Sequence, residues 1–321
     1  MICPKCKKEV PEGKFCDLCG FELSTNKPEE TKISTEENPP KPPTAIKFIP
    51  DKYELLKEIG RGGMGIVYEA MNKEINKRVA IKKMRDELAI NPRNKERFLE
   101  EARRVAQLHH QNIVDIYDMF EQDNIVYIVF EYVDGNTVEE ILNKKMKLSL
   151  EDTKKITLSV CEALNFAHSQ RVVHRDIKPS NIMIVNPPVS PFDKGGIQEG
   201  FVKVMDFGIA REAKNTILRL TGKDTSGAPS YMSPEQHMGN YDERSDIYSL
   251  GITIYEMLTG DLPFKGPDFL VQKERMAYRP IKELIPEIPE LVNEIINKCL
   301  QANKEDRYKT VKELSNDIKK I

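Results

Sequence analysis

The sequence lacks a long apolar segment, an excess of charge of either sign and a leader-like N-terminus. Its unbroken apolar runs, such as residues 125–130, fall far short of the roughly 18 to 20 residues that a membrane-spanning helix needs. The 49 lysines and arginines nearly balance the 51 aspartates and glutamates, and this net charge of −2 argues against a protein built around nucleic-acid phosphates. The first residues, M-I-C-P, lack the basic and then apolar pattern of a signal peptide. These absences predict a cytoplasmic protein with no membrane span.

Cysteine is scarce outside the N-terminus, where four of the six cysteines form two tight pairs. In a reducing compartment such pairs are more often metal ligands than disulfides. Four thiolates leave no open coordination position, so the C-x-x-C-x9-C-x-x-C spacing predicts a structural Zn²⁺ held by Cys3, Cys6, Cys16 and Cys19. The segment resembles a short zinc ribbon, in which the metal supplies most of the folding energy. Three roles stay open for it: docking or dimerisation through a protein partner, contact with nucleic acid, and sensing of redox state or zinc.

Composition divides the chain into three parts. Residues 1–23 hold the cysteine pairs, and residues 24–50 are rich in Pro, Glu, Lys and Thr but poor in apolar side chains. Such a segment cannot bury enough surface to offset its ordering entropy, so we expect a flexible linker there. Residues 51–321 carry hydrophobic periodicity throughout, and the two remaining cysteines, Cys161 and Cys299, stand in apolar helical patterns within them. Both are predicted to be buried as small hydrophobes.

The periodicity of residues 51–321 changes from strand-like to helical along the chain. Alternating apolar residues predict strands over Tyr53–Ile59, Ile66–Met71, Arg78–Lys83, Ile113–Phe120 and Ile125–Tyr132. One helix, over Arg97–Leu108, interrupts them, and helical patterns dominate after residue 135. This order predicts an α+β fold, with a strand-rich lobe over about 51–132 and a helix-rich lobe over about 136–321.

A glycine-rich turn follows the first predicted strand. Residues 60–67 read G-R-G-G-M-G-I-V, and glycines of this kind let backbone N–H groups approach a phosphate. The dinucleotide-binding interpretation requires a helix directly after the glycines. Here the chain continues as a strand, which disfavours that interpretation.

A lysine on a buried strand is the next candidate. Residues 79–82 read V-A-I-K, and a core lysine is costly unless it meets an anionic partner. Glu101, on the helix that follows, shares its face with apolar residues and is the predicted partner of Lys82. The adjacent Glu100 is the rival.

Three further motifs follow in order and make the pattern specific. Residues 174–181 read H-R-D-I-K-P-S-N, residues 206–208 read D-F-G, and residues 233–235 read S-P-E. Together with the glycine motif and Lys82, they resemble the eukaryotic-type protein kinase family in its bacterial branch, over about residues 51–321. The resemblance implies a bilobal protein kinase fold and transfer of the ATP γ-phosphate to serine or threonine hydroxyls of protein substrates.

The resemblance also implies roles for the residues that match the motifs. Lys82, oriented by Glu101, would hold the α- and β-phosphates of ATP. Asn181 and Asp206 would bind Mg²⁺, or Mn²⁺ in its place. The residues expected around the nucleotide are Gly60, Gly62, Gly65, Val67, Ala80, Lys82, Glu131, Val133 and Met183.

The catalytic step would depend on the loop at residues 174–181. Asp176 would accept or orient the proton of the substrate hydroxyl, and Lys178 would stabilise the γ-phosphate. Asp246 is a structural residue of the family pattern. Glu235 is expected to pair with Arg307.

Regulation is implied by Arg175, the arginine that precedes the catalytic aspartate. In this family such an arginine pairs with a phosphate on the activation segment and orders that segment. Thr221 and Thr225 are the preferred phosphate acceptors, which would make the enzyme self-activating.

Two features depart from the family pattern. Ala228 stands where relatives usually carry a threonine that contacts the catalytic aspartate and lysine, so we expect reduced activity. Residues 186–201 are a proline- and glycine-rich insertion, which we interpret as a tolerated surface loop. There are two alternatives to an active protein kinase: a nucleotide-binding scaffold without useful turnover, which Ala228 favours, and a small-molecule kinase, which the S-P-E segment disfavours.

Overall fold

The computed structural model describes residues 50–62, 65–85, 92–185, 202–207 and 229–321. Several sequence-based predictions fall outside these ranges. They are the zinc ribbon with its four cysteines, nearly all of the linker, the insertion at 186–201, the phosphate acceptors Thr221 and Thr225, and Ala228.

The N-terminal part of the described chain is a five-stranded antiparallel sheet with one helix beside it. Its strands are β1 (Tyr53–Gly62), β2 (Gly65–Asn72), β3 (Lys77–Met84), β4 (Ile116–Gln122) and β5 (Ile125–Glu131), in the order β1-β2-β3-β5-β4. Helix α1 (Pro92–Val105) lies between β3 and β4 in the chain and begins with a proline, which suits a first helical position.

Alternation along β3 gives the sheet two different faces. Val79 and Ile81 are buried in a small cluster with aromatic and aliphatic residues of β1 and β5. Ala80 and Lys82 point to the opposite face, because successive side chains of a strand alternate. The single lysine predicted on this buried strand therefore lies on the face turned away from the small cluster, and its side chain is 10% exposed.

The C-terminal part is mainly helical, with a small antiparallel sheet at its start. The sheet joins β6 (Gly135–Thr137), β7 (Ile182–Val185) and β8 (Val202–Val204). The helices are α2 (Val138–Lys145), α3 (Leu150–Ser169), α4 (Pro234–His237), α5 (Glu243–Thr259), α6 (Phe269–Glu274), α7 (Ile281–Leu284), α8 (Glu290–Cys299) and α9 (Val311–Ile318).

Helix α5 is the centre of the C-terminal part. Its residues are buried on nearly every side, so the helix reads as apolar all round rather than amphipathic. Gly251 is required there, because a Cβ at this position would lie 2.5 Å from Cβ of Cys299 on α8. Cys299 and Cys161 are both buried, as predicted, and burial raises the pKa of Cys161 to about 12.

The predicted α+β layout is confirmed, and the shifted start of one strand has a physical reason. The strand predicted over Ile113–Phe120 begins only at Ile116. Ile113 instead forms a parallel bridge to Val204, and the Val114 N–H donates to the Val204 carbonyl at 3.0 Å. These residues therefore leave the N-terminal sheet and tie it to β8. None of the helices in the described ranges is both long and apolar enough to cross a membrane.

Candidate active site

A buried aspartate fixes the loop between α3 and β7. Asp246, in the first turn of α5, accepts the backbone N–H of His174 at 2.8 Å and that of Arg175 at 2.7 Å. It also shares a 2.8 Å hydrogen bond with the ring of His168. Arg175 has φ +68°, a left-handed conformation that favours glycine, so these bonds hold a backbone shape that arginine alone would avoid. Burial would raise the pKa of Asp246, but the hydrogen bond from His168, the proximity of His168 and His174, and the Arg175 N–H lower it overall.

The loop places three of the predicted site residues together. Asp176 accepts a hydrogen bond from Nζ of Lys178 at 3.0 Å and one from Nδ2 of Asn181 at 3.2 Å, both on Oδ2. Nδ2 of Asn181 also donates to the Asp176 carbonyl at 2.7 Å. The amide nitrogen of Asn181 therefore faces Asp176, and its side-chain oxygen is directed away from that residue. This arrangement presents a carboxylate and an ammonium side by side.

The two predicted Mg²⁺ ligands lie at the ends of paired strands. Asn181 precedes β7, Asp206 follows β8, and the Met205 N–H donates to the Asn181 carbonyl at 3.0 Å. Both offer hard oxygen atoms of the kind Mg²⁺ prefers. In the described part of the chain no three His, Cys, Asp or Glu side chains form a metal-binding group. A cation held here would therefore take most of its ligands from phosphate and water.

The predicted ion pair between Lys82 and Glu101 is not formed. Lys82 Nζ donates instead to both carboxylate oxygens of Asp206, each at 2.8 Å. Burial would raise the pKa of Asp206, but the contact with Lys82 lowers it overall. The prediction correctly identified a buried lysine that needs an anion, and in this structure that anion is Asp206 rather than Glu101.

Glu101 forms an ion pair with Arg175 of the 174–181 loop. Arg175 Nη2 donates to Glu101 Oε1 at 3.0 Å, and the two side chains are 11% and 15% exposed. Arg104 lies farther off, at 3.9 Å. The Arg175 guanidinium also stacks on the ring of Tyr241, 4.4 Å from its centroid. Its Nε is buried and has no hydrogen-bond partner among the described residues. This arginine is therefore only partly satisfied by its contacts.

The glycines of the G-x-G-x-x-G motif serve different purposes. Gly65 has φ +151°, and a Cβ there would lie 1.9 Å from the Lys83 carbonyl, so the packing of β2 on β3 requires glycine. A Cβ at Gly60 would meet nothing closer than 3.8 Å, and one at Gly62 nothing within 4 Å. The fold alone does not require glycine at these two positions.

The predicted adenine residues lie in strands of both sheets and in the segment that joins them. Val67 faces Lys82 across β2 and β3, and Ala80 faces Phe130 across β3 and β5. Met183 lies in β7, and Val133 lies between β5 and β6, where both are half-buried. Their contact with a nucleotide stays a prediction.

An ion pair between the two sheets involves a residue that sequence reasoning did not single out. Glu131, at the end of β5, accepts a hydrogen bond from Lys203 Nζ of β8 at 2.7 Å. The same ammonium donates to the Ile113 carbonyl at 3.2 Å. The contact therefore fixes the segment between the sheets from the side of β8. No motif marks Lys203, so the sequence held no signal for it.

The predicted pair between Glu235 and Arg307 is present. The two guanidinium Nη atoms donate to the two carboxylate oxygens of Glu235, each at 2.8 Å. Ser245 Oγ adds a third hydrogen bond to Glu235 at 2.7 Å. Burial would raise the pKa of Glu235, but Arg307 lowers it overall. The pair anchors α4 to the turn that precedes α9.

Comparisons with known proteins agree with this geometry. The chain is 38% identical over 279 residues to "Probable serine/threonine-protein kinase CPE1738" of Clostridium perfringens, covering 86% of this chain and 39% of that protein. It is also 38% identical over 277 residues to "Serine/threonine-protein kinase PrkC" of Bacillus subtilis, covering 85% and 41%. The chain thus spans about two fifths of the length of these relatives.

Solved structures and family models give the same result. The crystal structure of the Mycobacterium tuberculosis PknI kinase domain superposes with a TM-score of 0.66 at 22% identity, covering 84% of this chain and 96% of that one. That likeness shows the fold. The model of the protein kinase domain family matches residues 53–317. The chain belongs to the protein kinase domain family.

Proposed function

We propose that this protein transfers the γ-phosphate of ATP to serine or threonine hydroxyls of protein substrates. The observation that carries the proposal is the cluster of Asp176, Lys178 and Asn181, in which an acceptor for the hydroxyl proton stands beside a cation for the phosphate. The named relatives at 38% identity are serine/threonine-protein kinases, which supports the same reaction.

The nucleotide fits the described residues in two places. A Cβ at Gly60 would meet nothing closer than 3.8 Å, and one at Gly62 nothing within 4 Å. This space would let a phosphate approach the backbone N–H groups of both residues. Lys82 is nearly buried and already holds an anion, which shows that the site stabilises negative charge next to it. Asn181 and Asp206 would hold Mg²⁺, which when bound neutralises charge on the phosphate oxygens.

The chain's own residues supply the remaining chemistry. Asp176 accepts hydrogen bonds from Lys178 and Asn181 on Oδ2, and its carboxylate would orient the acceptor hydroxyl and take its proton. Lys178 stands 3.0 Å from that carboxylate, where it can stabilise charge on the transferred phosphoryl group. Phosphoryl transfer needs little covalent help from the protein, so positioning of this kind is the main contribution.

A second candidate is the nucleotide-binding scaffold without useful turnover. Its support is the contact between Lys82 and Asp206, since a lysine bound to the metal-ligating aspartate is not free to hold phosphates. The predicted effect of Ala228 favours the same alternative. We favour the active enzyme, because the loop that carries Asp176 is held by Asp246 in a fixed and strained shape.

We further infer that phosphorylation of the activation segment exchanges the partners of Arg175. A phosphate on Thr221 or Thr225 would be a stronger partner for the guanidinium than Glu101, because it carries about two charges and offers three acceptor oxygens. The unsatisfied Nε of Arg175 leaves a donor for it. Glu101 would then be free to pair with Lys82, as the sequence predicted, and Lys82 would leave Asp206.

We propose that the N-terminal cysteines form a separate zinc-binding module. Cys3, Cys6, Cys16 and Cys19 would bind one structural Zn²⁺, and the module would dock a protein partner or a second copy of the chain. Zinc stoichiometry of the purified protein tests this. We expect about one zinc per chain, with the metal lost in Cys3→Ser, since a tetrahedral site cannot close with three thiolates.

Phosphate incorporation from γ-labelled ATP with Mg²⁺ tests the proposed function. The wild-type chain should label itself and a protein substrate on serine or threonine. Asp176→Asn should lower the rate of transfer by about 10²- to 10⁴-fold. Phosphopeptide mapping should place the self-label on Thr221 or Thr225. No transfer from a chain that still binds ATP would contradict the proposal and favour the scaffold.

A further inference from the structure

A lysine that donates to backbone carbonyls, and to no carboxylate among the described residues, is buried in a short helix of the C-terminal part. Residues 271–274 of α6 read V-Q-K-E and look like solvent-facing helix, yet Lys273 is 0% exposed. Its Nζ donates to the backbone carbonyl of Pro229 at 2.5 Å and to that of Met232 at 2.7 Å. Burial of an ammonium without an anion is costly, and it lowers the pKa of Lys273 to about 7.

The segment that Lys273 holds has no regular secondary structure of its own. Three of its four carbonyls are bound by side chains from helices, since Ser249 Oγ of α5 donates to the Tyr231 carbonyl at 2.8 Å. The Tyr231 hydroxyl in turn donates to Glu256 of α5. An unsatisfied buried carbonyl costs stability, so these donors fix the path of residues 229–232.

The same segment is joined to the catalytic loop. It leads directly into α4, where Gln236 Nε2 donates to the Arg175 carbonyl, one residue before Asp176, at 3.1 Å. Residues 229–232 are therefore linked, through the first turn of α4, to the backbone next to the proton acceptor of the proposed reaction.

We propose that Lys273 is a positioning residue for the protein substrate: it fixes the backbone of residues 229–232 as the surface that holds the acceptor hydroxyl against Asp176. This inference rests on the proposed function. On this proposal α6 contributes to binding of the acceptor and not to binding of the nucleotide. Loss of the ammonium should loosen the acceptor surface and leave the ATP site intact.

Substitution of Lys273 by methionine, which keeps the length of the side chain, removes both hydrogen bonds. We expect the KM for a peptide acceptor to rise about tenfold or more, because two buried carbonyls lose a donor. The KM for ATP and the slow hydrolysis of ATP by water should stay within about twofold of wild type. A merely structural role would change all three quantities together.

The chain offers a matched control in Lys282. This half-buried lysine of α7 donates to the Ile288 carbonyl at 2.5 Å, far from residues 229–232 in the chain, and thus has the same type of bond. We expect Lys282→Met to leave the acceptor KM unchanged. An equal rise in Lys282→Met would overturn the proposal, as would an unchanged acceptor KM in Lys273→Met.

Hydrogen–deuterium exchange separates this inference from the proposed function. The backbone amides of residues 230–232 should exchange faster in Lys273→Met than in Lys282→Met, whether or not the protein transfers phosphate. If wild type transfers none, the proposed function fails and the exchange result alone decides the role of Lys273. Equal exchange in the two variants would contradict that role. If Lys273→Met does not fold, Lys273→Gln, whose shorter amide cannot reach both carbonyls, is measured in the same way.

Discussion

Arg307, which is buried, and Arg175, which is partly buried, both hold glutamates, and they differ in how many of their N–H donors find a partner. Arg307, in the helical part, uses all five: two reach Glu235, and the other three reach the carbonyls of Gln301, Arg244 and Ala302. Arg175, at the junction with the N-terminal part, makes one hydrogen bond to Glu101 and leaves its buried Nε without a partner among the described residues.

The difference separates a permanent contact from an exchangeable one. Every donor of Arg307 is committed, so another anion could bind it only after a buried network is broken. Arg175 could use more of its N–H donors if it moved to an acceptor with more oxygen atoms, and a phosphate is such an acceptor. Glu101 likewise has a second candidate partner in Lys82. Fixed pairs anchor the fold, and the incompletely bonded pair is the one suited to regulation.

The largest effect should follow from breaking the fixed pair. Arg307→Met leaves the Glu235 carboxylate buried without its cation, which should lower the free energy of unfolding by about 3 to 5 kcal/mol. Urea denaturation followed by circular dichroism measures this. Arg175→Met is the comparison, and we expect a loss of only about 1 to 2 kcal/mol, since a single charged hydrogen bond is removed. Equal losses would erase the distinction between the two arginines.

The next effect should appear in activity rather than in stability. Glu101→Gln should lower phosphoryl transfer by the phosphorylated chain roughly 10²-fold, the size of losing one electrostatic contribution to the transition state. Its unfolding free energy should change by no more than about 1 kcal/mol, because the amide oxygen can still accept from Arg175. The exposed neighbour Glu100 is the control. A loss of activity in Glu100→Gln instead would show that the wrong glutamate was assigned.

Lys273 extends the comparison to a buried cation whose ammonium donates to two backbone carbonyls. Its pKa falls from 10.5 to about 7 in the folded chain. Between these values the unfolded chain binds more protons, so stability rises with pH. The difference in unfolding free energy between wild type and Lys273→Met should therefore grow from pH 7 to pH 9, by at most about 1.4 kcal/mol per pH unit. A difference that is flat with pH would place the pKa of Lys273 near its ordinary value.

The smallest effect should come from an ion pair that is exposed on both sides. Glu151 and Lys155 lie one turn apart on α3 at 2.9 Å, with side chains 77% and 55% exposed. Solvent screens such pairs, so Lys155→Ala should leave the unfolding midpoint in urea unchanged within error. A clear shift would show that distance, and not burial, ranks the ion pairs of this protein.

Most of the fold and the chemistry of the site could be predicted from the sequence. Alternation along residues 79–82 predicted a buried strand with one lysine, and the pairing of Glu235 with Arg307 followed from the family pattern. The partner of Lys82 could not be predicted, because Glu101 and Asp206 are both chemically suitable and only the geometry of the chain decides between them. A motif identifies the ionic groups of a site, but it does not determine which of them pair with one another.

Other parts of the site left no signal in the sequence. The burial of Lys273 depends on α6 packing over residues 229–232, and V-Q-K-E is equally compatible with an exposed helix. Lys203 of β8 donates to Glu131 of β5, so this contact joins the C-terminal and N-terminal parts of the chain. No local sequence pattern predicts it. Of the motif glycines, only Gly65 is required by packing, although the sequence suggests one purpose for all of them.

A crystal structure of the chain phosphorylated on its activation segment, with Mg²⁺ and a non-hydrolysable ATP analogue, tests the exchange most directly. We expect Lys82 Nζ within about 4 Å of the Glu101 carboxylate, the distance of an ion pair, and the Arg175 guanidinium on the phosphate. If Glu101 stays on Arg175 in a form that transfers phosphate at its full rate, the proposed exchange is wrong, and the two arginines differ in bonding alone.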